Sequence, residues 1–441
     1  MNYALKKHYA LCIMNYALNK HYALCIMNYA LIVLALQGCR KMEIDTAQWK
    51  EIVQSNYLVD TVDIYHEWDL LQTRALTIKA DLDDPDLERV QILNGNPYET
   101  EGVEILTERF VKYGQTVNPI FHVPFVERDY YAAAVTAQGQ YTVVPFNSSN
   151  VASFANNSKA VATGVLNRPI YQTYTYLFEE DFPLPGDFDF NDVVLRISQQ
   201  AVNDSTLKLK VTLSAVGAAK QVGGAIRMPN IPYDMVKRVA IEEGIRFDET
   251  LTTNRYYIDN DKVYVSGRDG STVINLFDDA HWSLLPKEEY GQVVRMFYNT
   301  RKFEVKNEST KVPEQSRTYI IYLKSGLAAS YLELPDIDPF IIVNNNGLCT
   351  EVHTYKYKYD EAIWHYTNGP SAEDDHVPWA LLIPDGQFHY PVEAMFIGRY
   401  RNGESTGAYS RSNHSFGEWG RDHDKARDWW LYDYASKAQV Y

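Results

Sequence analysis

The sequence predicts an all-β protein, a C-terminal β-sandwich or jelly-roll preceded by a smaller β-rich domain. Short stretches of alternating polarity recur along the chain. In "TLKLKVTLSAV" Leu207, Leu209, Val211 and Leu213 fall on one face, with Lys208, Lys210 and Thr212 on the other. Clusters of Gly, Pro, Asn and Asp separate such stretches at the spacing of turns. The 34 Tyr and 8 Trp among 441 residues are side chains that suit pleated, half-buried surfaces.

The N-terminus repeats thirteen residues almost unchanged, "MNYALKKHYALCI" then "MNYALNKHYALCI". A unit this short does not build a solenoid. Basic residues up to Lys20 followed by an apolar run from Tyr22 to Gly38 make 1–38 an export signal. Its ending, "LQGC", resembles a bacterial lipobox and makes Cys39 the lipidated first residue of the mature chain. The other reading is an uncleaved anchor helix, since the run approaches spanning length. Both tether the protein to a membrane. With Cys12 and Cys25 inside the signal, only Cys39 and Cys349 remain, so there is no disulfide framework.

A balance of 42 basic against 57 acidic residues, net -15, argues against nucleic acid as a partner, and against an anionic membrane surface as the main one. Residues 39–73 read as a lipidated N-terminus and stalk, with one helix through "TAQWKEIVQSNYLVDTV". Residues 74–146 form the small β-rich domain: "RALTIKADL" and "RVQILNGNPY" alternate, and "NPIFHVPF", "DYYAAAVTA" and "QYTVVPF" follow. The small, polar 147–170 reads as a linker. In 171–441 "RTYIIYLK", "PFIIVN", "EVHTYKYKY" and "PWALLIP" continue the strands. "PYDMVKRVAIEEGI" reads as a helix inside an insertion, 233–311, and the C-terminus as another helical turn.

The stretch "FEEDFPLPGDFDFNDVVLRIS", Phe178 to Ser198, carries the chemistry. Ca²⁺ takes six to eight oxygens and favours D-x-D-x-N spacing. In extended chain, Asp187, Asp189 and Asn191 fall on one side while Phe188 and Phe190 enter the core. Pro183, Pro185 and Gly186 bend the approach and could return Glu179, Glu180 or Asp181 to the same centre. An EF-hand needs Gly and Glu where Asp192 and Ser198 stand, so any site is completed from elsewhere in the fold. The competing reading has Asp187 and Asp192 capping turns and Asp189 solvated. Arg196 is the nearest basic residue.

"GDFDFNDVVLRI" resembles the signature of the LruC domain of secreted and lipoprotein-type proteins of Bacteroidota. "LSAVGAAKQVGGAIRMPNI", "DPFIIVNNNG", "EVHTY", "HVPWALLIPDGQFHYPVEAMFIGRY" and "FGEWGRDHDKARDWW" agree in order, over about Tyr171 to Tyr441. Asp338 departs from the family's "NPF". The resemblance implies a β-sandwich of the cell surface or outer membrane, with Asp187, Asp189, Asn191 and Asp192 as calcium ligands.

No nucleophile-elbow, zinc-helix, phosphate-loop or C-x-x-C motif occurs, so the sequence predicts no enzyme. The expected function is that of an envelope lipoprotein with structural Ca²⁺, acting in adhesion or surface interaction with a macromolecule. The alternative is a glycan-binding accessory protein of polysaccharide capture, with Trp419, Trp429 and Trp430 on one exposed patch. His66, His353 and the cluster of Asp422, His423, Asp424 and Asp428 read as structural or solvated residues.

Overall fold

The computed structural model describes residues 58–126, 128–155, 160–167, 169–182, 186–244, 259–260, 263–284, 297–302, 311–324, 329–358 and 377–441. The chain divides into two compact units, 1–55 and 56–441. The signal, Cys39 and the stalk as far as 57 lie outside the described residues.

Two six-stranded antiparallel sheets form the sandwich. The first runs in the order Val236–Gly244, Gln315–Leu323, Thr206–Ala215, Val193–Asn203, Gln172–Phe178, Ala380–Ile383. The second runs Asp259–Asn260, Val263–Arg268, Ser271–Phe277, Gln221–Pro232, Asp338–Asn345, Leu348–Val352. The chain crosses between sheets at about half of its connections, and hairpins such as Val193–Asn203 with Thr206–Ala215 stay within one layer.

Alternation explains the core. Leu207, Leu209, Val211 and Leu213 are fully buried and face Val222, Ile226, Ile341 and Val343 of the second sheet in one apolar cluster. Burying each such side chain stabilises the fold by about 1.5–3 kcal/mol. Lys208, Lys210 and Thr212 turn outward, as the pattern requires.

The segment Val236–Gly244, read as helical, is a strand on the edge of the first sheet, entered through a short 3₁₀ turn at Tyr233–Met235. Val236, Val239 and Ile241 are β-branched, and pairing with Gln315–Leu323 satisfies their backbone. The hairpin Val263–Arg268 and Ser271–Phe277 lies inside the second sheet. The part of 233–311 that is described therefore belongs to both layers of the sandwich and is not an appendage.

Before the sandwich lies a five-stranded sheet, Ala162–Val165, Gln140–Pro145, Tyr131–Thr136, Leu87–Leu93, Ile105–Phe110. It is covered by smaller sheets that include Thr77–Lys79 and Val151–Ser153. Two strands thus fall within the stretch read as linker. Residues 58–73 are not a free stalk either. Val59 bridges to Tyr400, and Trp68 and Leu70 join the sandwich core. His66, held between the rings of Trp68 and Trp419, stays neutral because burial pushes it down to about 4.

The join to the sandwich is polar. Glu108 accepts from the Ala201 amide at 3.0 Å, Arg89 donates to the Ala201 carbonyl at 2.9 Å, and Glu104 accepts from the Thr173 amide at 3.2 Å. Burial pushes Glu104 from 4.5 up to about 8, helped by Asp385 and only partly offset by the Thr173 amide and Arg128. A carboxylic acid raised in the fold contributes stability that is complete below its unfolded value and is lost as pH rises through its folded one. Between pH 5 and pH 9 the wild type is expected to lose on the order of 3 kcal/mol through this group. Glu104→Gln is expected to remove that loss. Urea unfolding at both pH values checks it, and an unchanged slope in the variant would refute it.

Candidate metal centre

The acidic loop lies between the strands Gln172–Phe178 and Val193–Asn203, which pair antiparallel. Phe188 and Phe190 are fully buried, as the sequence predicts, but the loop is not extended. Both adopt positive φ, 50° and 55°. That region is strained for bulky side chains and persists only where surroundings enforce it. Here Phe188 meets Trp379 at 5.1 Å between ring centres, and Phe190 meets Phe416 at 6.3 Å. Between the two turned residues, Asp189 is buried, while Asp187 just before them stays exposed.

Glu179, Asp187 and Asp189 each offer an oxygen within 4.8 Å of the others. Two oxygens on opposite sides of one Ca²⁺ are about 4.6–5.2 Å apart, twice the usual Ca–O length. An all-oxygen set of carboxylates suits a hard divalent cation and gives thiolate-seeking metals nothing. Glu179 and Asp189 are 1% exposed. Asp187 is exposed, so the centre opens to solvent on its side.

Three groups of hydrogen bonds fix the loop. Glu179 accepts from the Phe190 amide at 2.5 Å through Oε1, while its buried Oε2 has no hydrogen-bond partner. Asp189 accepts from the Asn191 amide at 3.1 Å and from the Ala394 amide at 2.8 Å. Asn191 donates through Nδ2 to the Pro391 carbonyl at 3.1 Å, and its buried Oδ1 is again without a partner. A Cβ on Gly217 would lie 2.0 Å from that Oδ1, so only glycine fits beside it.

Asp192 is not among the three carboxylates that meet within 4.8 Å, although its charge acts on Glu179. Its Oδ2 accepts from the Glu180 amide at 2.6 Å, which is the capping role. Glu180 itself accepts from the amides of Ala219 and Lys220. Arg196 does not serve the loop, because it pairs with Glu314. Lys220 is the nearby cation, on Asp181 at 2.5 Å.

Burial sets these carboxylates against one another. Burial, then the charges of Asp192, Asp189 and Asp187, pushes Glu179 well above the carboxylate range. Burial with Asp187 and Glu393 does the same to Asp189, and burial with Asp189 and Glu180 to Asp192. Asp187, though its residue is exposed, is raised as well, chiefly by partial desolvation of its carboxylate and then by the charge of Asp181. A divalent cation would relieve this repulsion and give Glu179 Oε2 its missing partner.

The tryptophan patch expected on the surface is absent. Trp419, Trp429 and Trp430 are at most 1% exposed; Trp419 packs on Phe416, Trp429 on Phe416, Phe388 and Tyr409, and Trp430 joins the same core while its indole N–H donates to the Arg427 carbonyl. The acidic C-terminal cluster is internally partnered: His423 with Asp63 at 2.6 Å, Lys425 with Asp422 at 2.8 Å, and His414 with Asp428 at 2.8 Å. His353 lies in a buried charged network that single-residue reading did not reveal. It bonds Asp338 at 3.0 Å and Glu351 at 3.2 Å, which in turn hold Arg227 and Arg268.

Among the described residues no helix is long and apolar enough to cross a membrane. A solved chain named as a candidate lipoprotein of Bacteroides ovatus is 15% identical, with TM-score 0.43, over 81% of this chain and 99% of that one. No curated protein matches. A family model matches residues 204–430, within the stretch on which the LruC resemblance rests; it takes in Pro391 and Ala394 but starts after the acidic loop. That match spans just over half of the 441 residues, and the chain belongs to the family described as Domain of unknown function (DUF4842).

Proposed function

We propose that this protein is a lipid-anchored interaction module of the cell envelope, set at the outer membrane through Cys39, whose sandwich is locked by a structural Ca²⁺. The observation that carries the metal is the buried, unpartnered Oε2 of Glu179 beside Asp187 and Asp189. Asn191, with its free Oδ1, stands ready as a further neutral ligand, and Asp192 supports the loop through the Glu180 amide. The role is structural and non-catalytic. The lipobox-like "LQGC" supports the anchor, and the partner is a surface macromolecule or glycan.

Calcium binds the folded chain and stabilises it by mass action. At about a hundred times its dissociation constant this amounts to about 2.7 kcal/mol, or a melting shift of the order of 5 °C. In chelator the raised carboxyl groups contribute most at acid pH, so the midpoint is expected to fall as pH rises from about 4 toward neutrality. Calcium should flatten that slope. Glu179→Gln together with Asp189→Asn should abolish the calcium response. Scanning calorimetry of the full chain in EDTA and in millimolar Ca²⁺ decides: identical midpoints, or a response surviving the double substitution, would remove the metal from the reading.

A further inference from the structure

The outward face of the first sheet carries a polar cleft away from the acidic loop. Its register places Ser198 opposite Lys210 and Lys210 opposite Thr318, a polar row across three strands, with Gln200 opposite Lys208 in the next row. The alternate residues Ile197, Leu207 and Leu209 are wholly buried, so these polar side chains project away from the core. With Tyr171 they line a cleft of about 270 Å³.

The groups in the cleft differ in what they have free. Lys208 is paired with Glu242. Lys210 is exposed and has no charged partner among the described residues. The Ser198 hydroxyl is shared with Thr173 at 2.9 Å and can still bond outward. Tyr171, half-buried, supplies an aromatic ring at the wall. One free ammonium, hydroxyls, a carboxamide and a ring are a set that fits a small polyol bearing one negative charge. The volume is near the lower end for small-ligand pockets, enough for a single unit of a polymer. The chain's net charge of -15 disfavours an extended polyanion, so attraction is confined to one carboxylate at Lys210.

We propose that this cleft binds an acidic sugar residue, a hexuronic acid at the end or branch of a glycan. Its carboxylate meets Lys210, its ring face meets Tyr171, and its hydroxyls face Ser198, Gln200 and Thr318. This rests on the surface-interaction reading, names its ligand class, and is independent of the metal loop.

The test is titration of glucuronate, glucose and acetate into the calcium-equilibrated full chain, followed by saturation-transfer NMR and calorimetry. Glucuronate is expected to bind with a dissociation constant of about 1 mM, and glucose and acetate about tenfold more weakly. Lys210→Gln and Tyr171→Ala should each weaken glucuronate about tenfold while leaving the melting midpoint in place. Equal binding of glucose would overturn the acidic assignment, and equal binding of acetate would reduce the cleft to an anion site. No glucuronate binding, or binding unchanged in Lys210→Gln, would sink the proposal. Glucuronate binding in a chain whose melting ignores calcium would fail the metal alone.

Discussion

Chelation of calcium is expected to open residues 386–441 to protease, and excess calcium to close them again. This segment has little sheet of its own. It contains the short hairpins Arg399–Arg401 with Glu404–Thr406 and Ser410–Arg411 with His414–Ser415, and the capped helix Phe416–Arg421. Part of its attachment runs through the acidic loop, beside the Val59–Tyr400 bridge, the Asp63–His423 pair and the bonds of Tyr390 and Glu393 to Asn299 and Thr300. The Ile397 amide donates to the Phe188 carbonyl at 2.9 Å, the Ala394 amide to Asp189 at 2.8 Å, and Asn191 donates to the Pro391 carbonyl at 3.1 Å. Without the cation, repulsion among Glu179, Asp187 and Asp189 acts on the loop that makes all three bonds. Segments with few ladder bonds open first when such a tie weakens. Limited proteolysis read by mass spectrometry, with and without EDTA, should show the calcium-dependent cuts in this segment. Asp189→Ala should give the chelated pattern at every calcium concentration. Digests that do not differ, or that differ only elsewhere, would refute the latch.

Asp338→Ala is expected to cost about 3–5 kcal/mol, the range for breaking a buried ion pair by removing one partner. Asp338 is fully buried; it accepts from Arg227 Nε at 2.9 Å and contacts His353 Nδ1 at 3.0 Å. His353 in turn stacks on Phe340, with ring centres 4.5 Å apart, and reaches Glu351. Burial works against a charged His353, but Asp338 and Glu351 outweigh it and raise the imidazole above its ordinary value. For Glu351 burial raises the group, and His353 with Arg268 more than reverses it. Truncating Asp338 removes one of the two carboxylates that His353 bonds, and a countercharge of Arg227. Asp338→Asn keeps the shape and should cost less than the alanine. Urea unfolding measures both, and a loss below about 1 kcal/mol for Asp338→Ala would mean the network contributes little.

The period-two pattern of Leu207 to Leu213 was legible because a half-buried strand needs nothing but alternation. Turn clusters flank several of the strands for the same local reason, but "EVHTYKYKY", read as strand throughout, leaves the sheet after Val352 and turns helical at Tyr355–Lys358. Val236–Gly244 was misread because its sequence suits a helix in isolation. Pairing with Gln315–Leu323, some eighty residues away, overrides that tendency. The linker reading of 147–170 failed similarly: small polar residues look like a loop until a neighbouring edge supplies hydrogen-bond partners for Val151–Ser153 and Ala162–Val165.

The candidate centre divides along the same line. Asp187 and Asp189 stand out from spacing, and both lie in the carboxylate cluster. Glu179 was one of three acidic residues the bend could return, and nothing local singled it out from Glu180 and Asp181. Its selection depends on the positive φ of Phe188 and Phe190, which rings of distant residues enforce. Trp419, Trp429 and Trp430 mislead for the opposite reason. Aromatic residues suit a recognition surface and a core equally well, and only the closed packing of the C-terminal segment places them inside.

By itself, the sequence determined the all-β class, the alternation that builds the two layers, and the concentration of acid before Val193, because each is written in residues close together. The tertiary structure alone decided which carboxylates converge, which aromatic rings are buried and how Arg227, Asp338 and His353 meet. Those outcomes depend on contacts between residues far apart in the chain, where packing and shared burial outweigh any local preference.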